Sequence, residues 1–90
     1  MLPTHRPPTH PGEILLEDYL KPRGLTQSDL AEQTELPLQR INMIVNGRRG
    51  VTAETAVLIS DVLKTRPEFW LNLQRNFDLW HALHDLGRTA

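Results

Sequence analysis

Apolar residues recur at helical spacing in five stretches, and proline, glycine or short polar caps mark the breaks between them. Ile14, Leu15, Tyr19 and Leu20 form the inward stripe of a first helix over residues 11–20. Pro11 suits its first turn, Glu13 complements its positive end, and Lys21-Pro22-Arg23-Gly24 closes it. Thr26 and Asp29 form a capping-box pair that opens a second helix with Leu30 and Ala31 inward, Ala31 being small enough to let another helix cross closely. The run breaks at Thr34-Glu35-Leu36-Pro37. It resumes through Leu38, Ile41, Ile44 and Val45 and stops at Asn46-Gly47. Thr52 caps a fourth helix reaching about Lys64, with Ala56, Ile59, Val62 and Leu63 as its buried stripe. Thr65 and Glu68, with Pro67 between them, predict another capping box at the head of a fifth helix over residues 65–86. The expectation is an all-α chain of one domain over residues 1–90, preceded by an extended, proline-rich arm over residues 1–10.

Two helices of about two turns each, separated by about four residues, are the layout of a helix-turn-helix. An αα-hairpin alone would not imply DNA, but charge placement adds to it. The chain carries 11 acids against 10 Lys and Arg, a formal net charge of -1. Even so, the segment from Leu36 to Ala53 has no acid while holding Arg40, Arg48 and Arg49. A basic patch on one face matters more for phosphate binding than the total over the chain.

The run from Thr26 to Arg48 resembles the helix-turn-helix of lambdoid phage repressors and of the wider Xre family. RPPTHPGEILLEDYL, VNGRRGVTAETAVLI and PEFWLNLQRNFDLW, which with that run cover nearly the whole chain, more specifically resemble HigA-type antitoxins. The resemblance implies a five-helix, lambda-repressor-like DNA-binding domain that dimerises, represses its own operon and neutralises a HigB-like, mRNA-cleaving toxin. It also implies a place in the bacterial cytoplasm, on the nucleoid. A stand-alone repressor without a toxin, and a module that only blocks a toxin, are the neighbouring readings. One departure stands out: Glu35 occupies a turn position that is usually glycine in these repressors, because the backbone there tends to be left-handed.

In this motif the N-terminal part of the second hairpin helix enters the major groove and the first helix crosses the backbone. On the matching positions, Leu38, Gln39 and Met43 point toward base edges and Gln27 meets a phosphate. Gln39 can donate and accept at once, which matches adenine N6 and N7. Leu38 can only pack on a thymine methyl, and Arg40 can grip guanine in bidentate fashion. Arg40 and Asn42 are further base or phosphate candidates. Arg48 and Arg49, on the following loop, suit phosphate clamping. The competing roles are core packing for Leu38 and Met43, and pairing with Glu32 or Glu35 for Arg40.

The fifth helix is apolar over more than one face. Phe69, Trp70, Leu73, Phe77 and Trp80 follow a helical period, and Leu71, Leu79 and Leu83 widen the arc beyond the roughly 100° that one small core needs. A second copy of the chain is the economical cover, since aromatics are enriched in interface cores and twofold dimers are the commonest oligomers. The alternative is that both tryptophans complete the core of one chain.

Composition narrows the chemistry. There is no cysteine, which removes disulfides, thiol catalysis and cysteine-bound zinc. No apolar run approaches a membrane span and no signal peptide is evident. No nucleophile-and-base set or phosphate loop is present, so no catalytic residue, metal or cofactor is expected. His81 and His84 share a helix face near Asp78 and Asp85, but read as surface residues. His5, Arg6 and His10 give the N-terminal arm positive character, suited either to phosphates or to packing across the domain.

Overall fold

The computed structural model describes residues 7–88, so His5 and Arg6 of the arm lie outside the described residues. Among the described residues, five helices account for the regular structure. Helix α1 runs over residues 11–23 in three joined segments: Pro11–Ile14, a π-helical Leu15–Leu20, and Lys21–Arg23. Helix α2 is Gln27–Thr34, α3 is Leu38–Val45, α4 is Ala53–Leu63 and α5 is Pro67–Asp85.

At the start of α1, His10, the last residue of the extended arm, packs across the domain. His10 is the N-cap: its Nδ1 accepts the Gly12 N–H at 2.9 Å, and its ring meets the edge of Phe77 with centroids 4.8 Å apart. The end of α1 differs from expectation, because the helix passes through Pro22 to Arg23. A proline ring inside a helix collides with the carbonyl one turn earlier. The wider π turn ahead of Pro22, with the Lys21 N–H reaching back to the Leu16 carbonyl, relaxes that turn. Gly24, left-handed at φ 66°, then closes the helix.

The hairpin forms as its caps dictate. Thr26 Oγ1 accepts the Asp29 N–H and Asp29 Oδ2 accepts the Thr26 N–H, each at 3.0 Å, completing the expected box. Hydrogen bonding from Thr26, its backbone N–H first and its side chain second, holds the Asp29 pKa below its ordinary value. Glu35 does take the left-handed conformation, at φ 60°, a strain of roughly 1 kcal/mol for a residue with a Cβ. The turn is held because the Leu36 N–H reaches the Ala31 carbonyl at 3.1 Å and the Leu36 side chain is buried. Helix α3 ends in a Schellman motif: Gly47 N–H bonds the Ile44 carbonyl at 3.0 Å and Arg48 N–H bonds the Met43 carbonyl at 2.8 Å.

The capping box expected at Thr65 does not form. Residues before proline are driven into extended conformation, so Arg66, preceding Pro67, becomes the N-cap of α5. Thr65 instead accepts the Trp70 indole N–H at 2.8 Å and pairs with the Ser60 hydroxyl at 3.2 Å. Lys64, left-handed at φ 62°, ends α4 without a glycine.

One core draws on all five helices: Leu15 and Leu20, Leu30 and Ala31, Ile41 and Ile44, Ala56, Ile59 and Leu63, and Trp70, with Leu36 and Val51 from the connections. Trp70 is fully buried and its N–H is satisfied, which corrects its assignment to a surface between copies. Burying an indole of roughly 150–250 Å² at about 25 cal/mol per Å² is worth several kcal/mol, and that surface is used up inside this chain. Among the described residues, no helix is long and apolar enough to cross a membrane.

Candidate nucleic-acid interface

Helix α3 buries one side and offers the other. Ile41, Ile44 and Val45 are buried, while Leu38 is 48% exposed and Gln39 and Asn42 are exposed beside it. Leu38 is therefore not part of the core. Arg40 and Met43 are half-buried on the flank. Pro37, Gln39, Arg40, Met43 and Arg49 together line a shallow polar depression of about 300 Å³. This groups four of the expected base and phosphate candidates at one place.

Asn42 is held within a chain of amides. Its Nδ2 donates to Gln27 Oε1 at 3.2 Å, and its Oδ1 accepts from Asn46 Nδ2 at 3.2 Å. The link ties the first residue of α2 to the exposed face of α3. Asn42 is thus better placed to orient Gln27 than to read a base alone.

Arg40 pairs with neither Glu32 nor Glu35. Its Nη1 lies 3.9 Å from Glu54 Oε1, with Glu54 largely exposed at the start of α4, and its buried Nε has no partner among the described residues. Glu54 is the first acid after the acid-free segment, and the fold swings it back over that segment. Linear order hides this pairing.

Arg48 and Arg49 are exposed on the loop between α3 and α4, and no ion pair with either is formed among the described residues. The loop is fastened at both ends. The Arg48 N–H is bound to α3, and the Val51 N–H donates to Gln74 Oε1 of α5 at 2.8 Å.

The position of α3 itself depends on Gly12. A Cβ added there would lie inside the Ile44 carbonyl oxygen, and 3.0 Å from Val45 Cα, so α1 crosses the end of α3 backbone to backbone. His10 sits beside the same junction, its ring 3.8 Å from where a Cβ on Gly47 would be. The THPGE segment thus acts as a cap plus a close crossing. No periodicity or charge argument could find Gly12, because the requirement lives in the partner backbone.

On α5 the remaining expected interface residues divide. Phe69 is 38% exposed and meets Tyr19 and Trp70 edge-on, and Leu73 packs on the core. Phe77 is shared between His10 and His81, and Trp80 stacks on His84 with centroids 4.8 Å apart. A further uncovered apolar surface lies on another side of α5: Leu79 is 46% exposed, and Leu71, Leu79 and Ala82 line an open groove of about 640 Å³ with Gln74, Arg75 and Asp78.

A two-helix motif with an exposed polar face on its second helix and a basic loop behind it defines a helix-turn-helix regulator. Residues 16–70 match the family described as Helix-turn-helix, and the chain belongs to that family. The antitoxin HigA-1 of Vibrio cholerae is 40% identical over 81 residues, covering 89% of this chain and 75% of that protein. The solved antitoxin GraA superimposes with a TM-score of 0.87 at 43% identity, over 91% of this chain and 88% of that one. An antitoxin HigA of Pseudomonas aeruginosa, solved with the higBA promoter, gives a TM-score of 0.86 at 32% identity, over 89% and 87% of the two chains. Within the helix-turn-helix family, the chain is of the HigA antitoxin type.

Proposed function

We propose that this chain is a DNA-binding antitoxin that dimerises on a palindromic operator, represses its own operon and neutralises a HigB-like, mRNA-cleaving toxin. The observation that carries the DNA half is the grouping of Gln39, Arg40, Met43 and Arg49 around one depression, with Arg48 and Leu38 exposed beside it. Gln39, and Arg40 when it leaves Glu54, read base edges. Gln27, Arg48 and Arg49 grip phosphates and set register. The P. aeruginosa antitoxin HigA solved with the higBA promoter supports this reading.

The dimer rests on the open groove around Leu71, Leu79 and Ala82 of α5. A chain with net charge -1 has little non-specific pull toward DNA, so two half-sites read together are needed for tight binding. The toxin half rests on the family alone.

The test has three arms. The unmodified protein should retard DNA from upstream of its own gene at a concentration that leaves random DNA free. It should sediment as a dimer at micromolar concentration, and it should co-purify with the product of the neighbouring reading frame. Equal affinity for both DNAs would overturn the operator reading. A monomer would overturn the dimer, and a neighbour that does not bind would leave a stand-alone repressor.

A further inference from the structure

We propose that Gln74 of α5 is a positioning residue for DNA binding, holding the Arg48–Arg49 loop in the conformation that meets the phosphate backbone. The inference rests on the DNA-binding reading above. Three interactions carry it. Gln74 Oε1 accepts the Val51 N–H at 2.8 Å, across 23 residues of chain. Its carboxamide lies flat against Gly50, so close that a Cβ there would come within 3.0 Å of the amide carbon. Its Nε2 donates to Asp78 Oδ1 at 2.9 Å, one turn further along α5, which fixes the amide so that the oxygen faces the loop.

The consequence follows from the loop's two ends. Arg48 is tied at its backbone N–H to α3, and Val51 at its N–H to α5, so the stretch holding Arg49 and Gly50 is held between two anchors. Fixing one backbone residue costs roughly 1–2 kcal/mol of entropy. Where the free protein already holds the loop, that loss is not met again when DNA binds. Gly50 is needed for a different reason from Gly47. Gly47 supplies a positive φ of 73°, whereas Gly50 leaves room for the Gln74 amide. The helix expected to join two copies thus also sets the arginines of its own copy.

The test uses the full chain on the upstream duplex and on a random duplex across a salt series. Gln74→Met keeps the length of the side chain and removes both hydrogen bonds. It should weaken binding severalfold on both duplexes, with a salt slope shallower by about one phosphate. The exchanged pair Gln74→Glu with Asp78→Asn keeps the acceptor for Val51, an N–H···O link between residues 74 and 78, and the total charge. It should restore both affinity and slope. In an Arg48→Ala, Arg49→Ala background, Gln74→Met should have no further effect. A purely structural role would lower the melting temperature while leaving the slope unchanged in folded protein. That result, an undiminished weakening in the arginine-free background, or failure of the folded exchanged pair to rescue would each overturn the proposal. If the unmodified protein prefers neither duplex and its binding has no salt dependence, the DNA reading itself falls, and this inference with it.

Discussion

Replacing Gly12 by alanine should destabilise the protein even though alanine is the better helix former. In an open helix the exchange gains up to about 1 kcal/mol. Here the new methyl group would overlap the Ile44 carbonyl and come 3.0 Å from Val45 Cα, and both obstacles are backbone. No side-chain rotation relieves the overlap, so α1 and α3 must separate. Overpacking of this kind costs about 1–3 kcal/mol, occasionally more. The first helical turn gains little from alanine propensity, which leaves a net destabilisation of about 2 kcal/mol. At about 4–8 °C per kcal/mol for a domain of 60–100 residues, the melting temperature should fall by roughly 8–16 °C. Thermal unfolding followed by far-ultraviolet circular dichroism reads this directly. The displaced α3 should also weaken DNA binding at temperatures where the variant is still folded. An unchanged or raised melting temperature would refute the close crossing as the reason for glycine at this position.

Two other perturbations separate the remaining interactions. Burial lowers the His10 pKa below its ordinary 6.5, with Asp78 opposing in part, so the folded state resists protonation more than the unfolded one. Stability is therefore full above about pH 6.5 and falls as the pH drops toward the depressed folded value. His10→Asn, which still caps, should flatten that part of a pH series of urea melts, and an unaltered slope would contradict the assignment. The contribution from Asp29 disappears only at more acid pH, below its ordinary 3.8. Removing the Glu54 charge with Glu54→Gln should release Arg40 and raise operator affinity by up to about fivefold, matching the ~1 kcal/mol upper range of an exposed pair. Fluorescence anisotropy at low salt would measure it, and weaker binding would show that Glu54 orients Arg40 rather than withholds it.

The parts of this fold that could be read from the chain are those whose cause is local. Thr26 and Asp29 cap each other within one turn, and Asn46-Gly47 stops α3. At Glu35 a strained and a differently shaped turn are both open to the chain, and the backbone takes the strained, left-handed one. The hairpin and its basic loop follow from such signals. The unreadable parts depend on partners distant in sequence. Gly12 answers to Ile44, Gln74 to Val51, Arg40 to Glu54, and Thr65 leaves its own helix to receive the Trp70 indole. Trp70 and Trp80 look alike in a helical repeat, yet one fills the core and the other lies half-buried against His84. The apolar arc of α5 is too wide for one core, as its sequence indicates. Which residues are surplus depends on how α4 and α5 cross.

The claim that the exposed face of α3 reads sequence while the loop grips backbone is tested most directly by Gln39→Ala and Arg49→Ala on operator and random DNA. Gln39→Ala should reduce operator affinity by about 1–3 kcal/mol for each base that residue 39 no longer reads, and leave random DNA nearly unaffected. Arg49→Ala should weaken both duplexes to a similar degree and make the salt dependence shallower. A uniform weakening from Gln39→Ala together with an operator-specific one from Arg49→Ala would contradict the account.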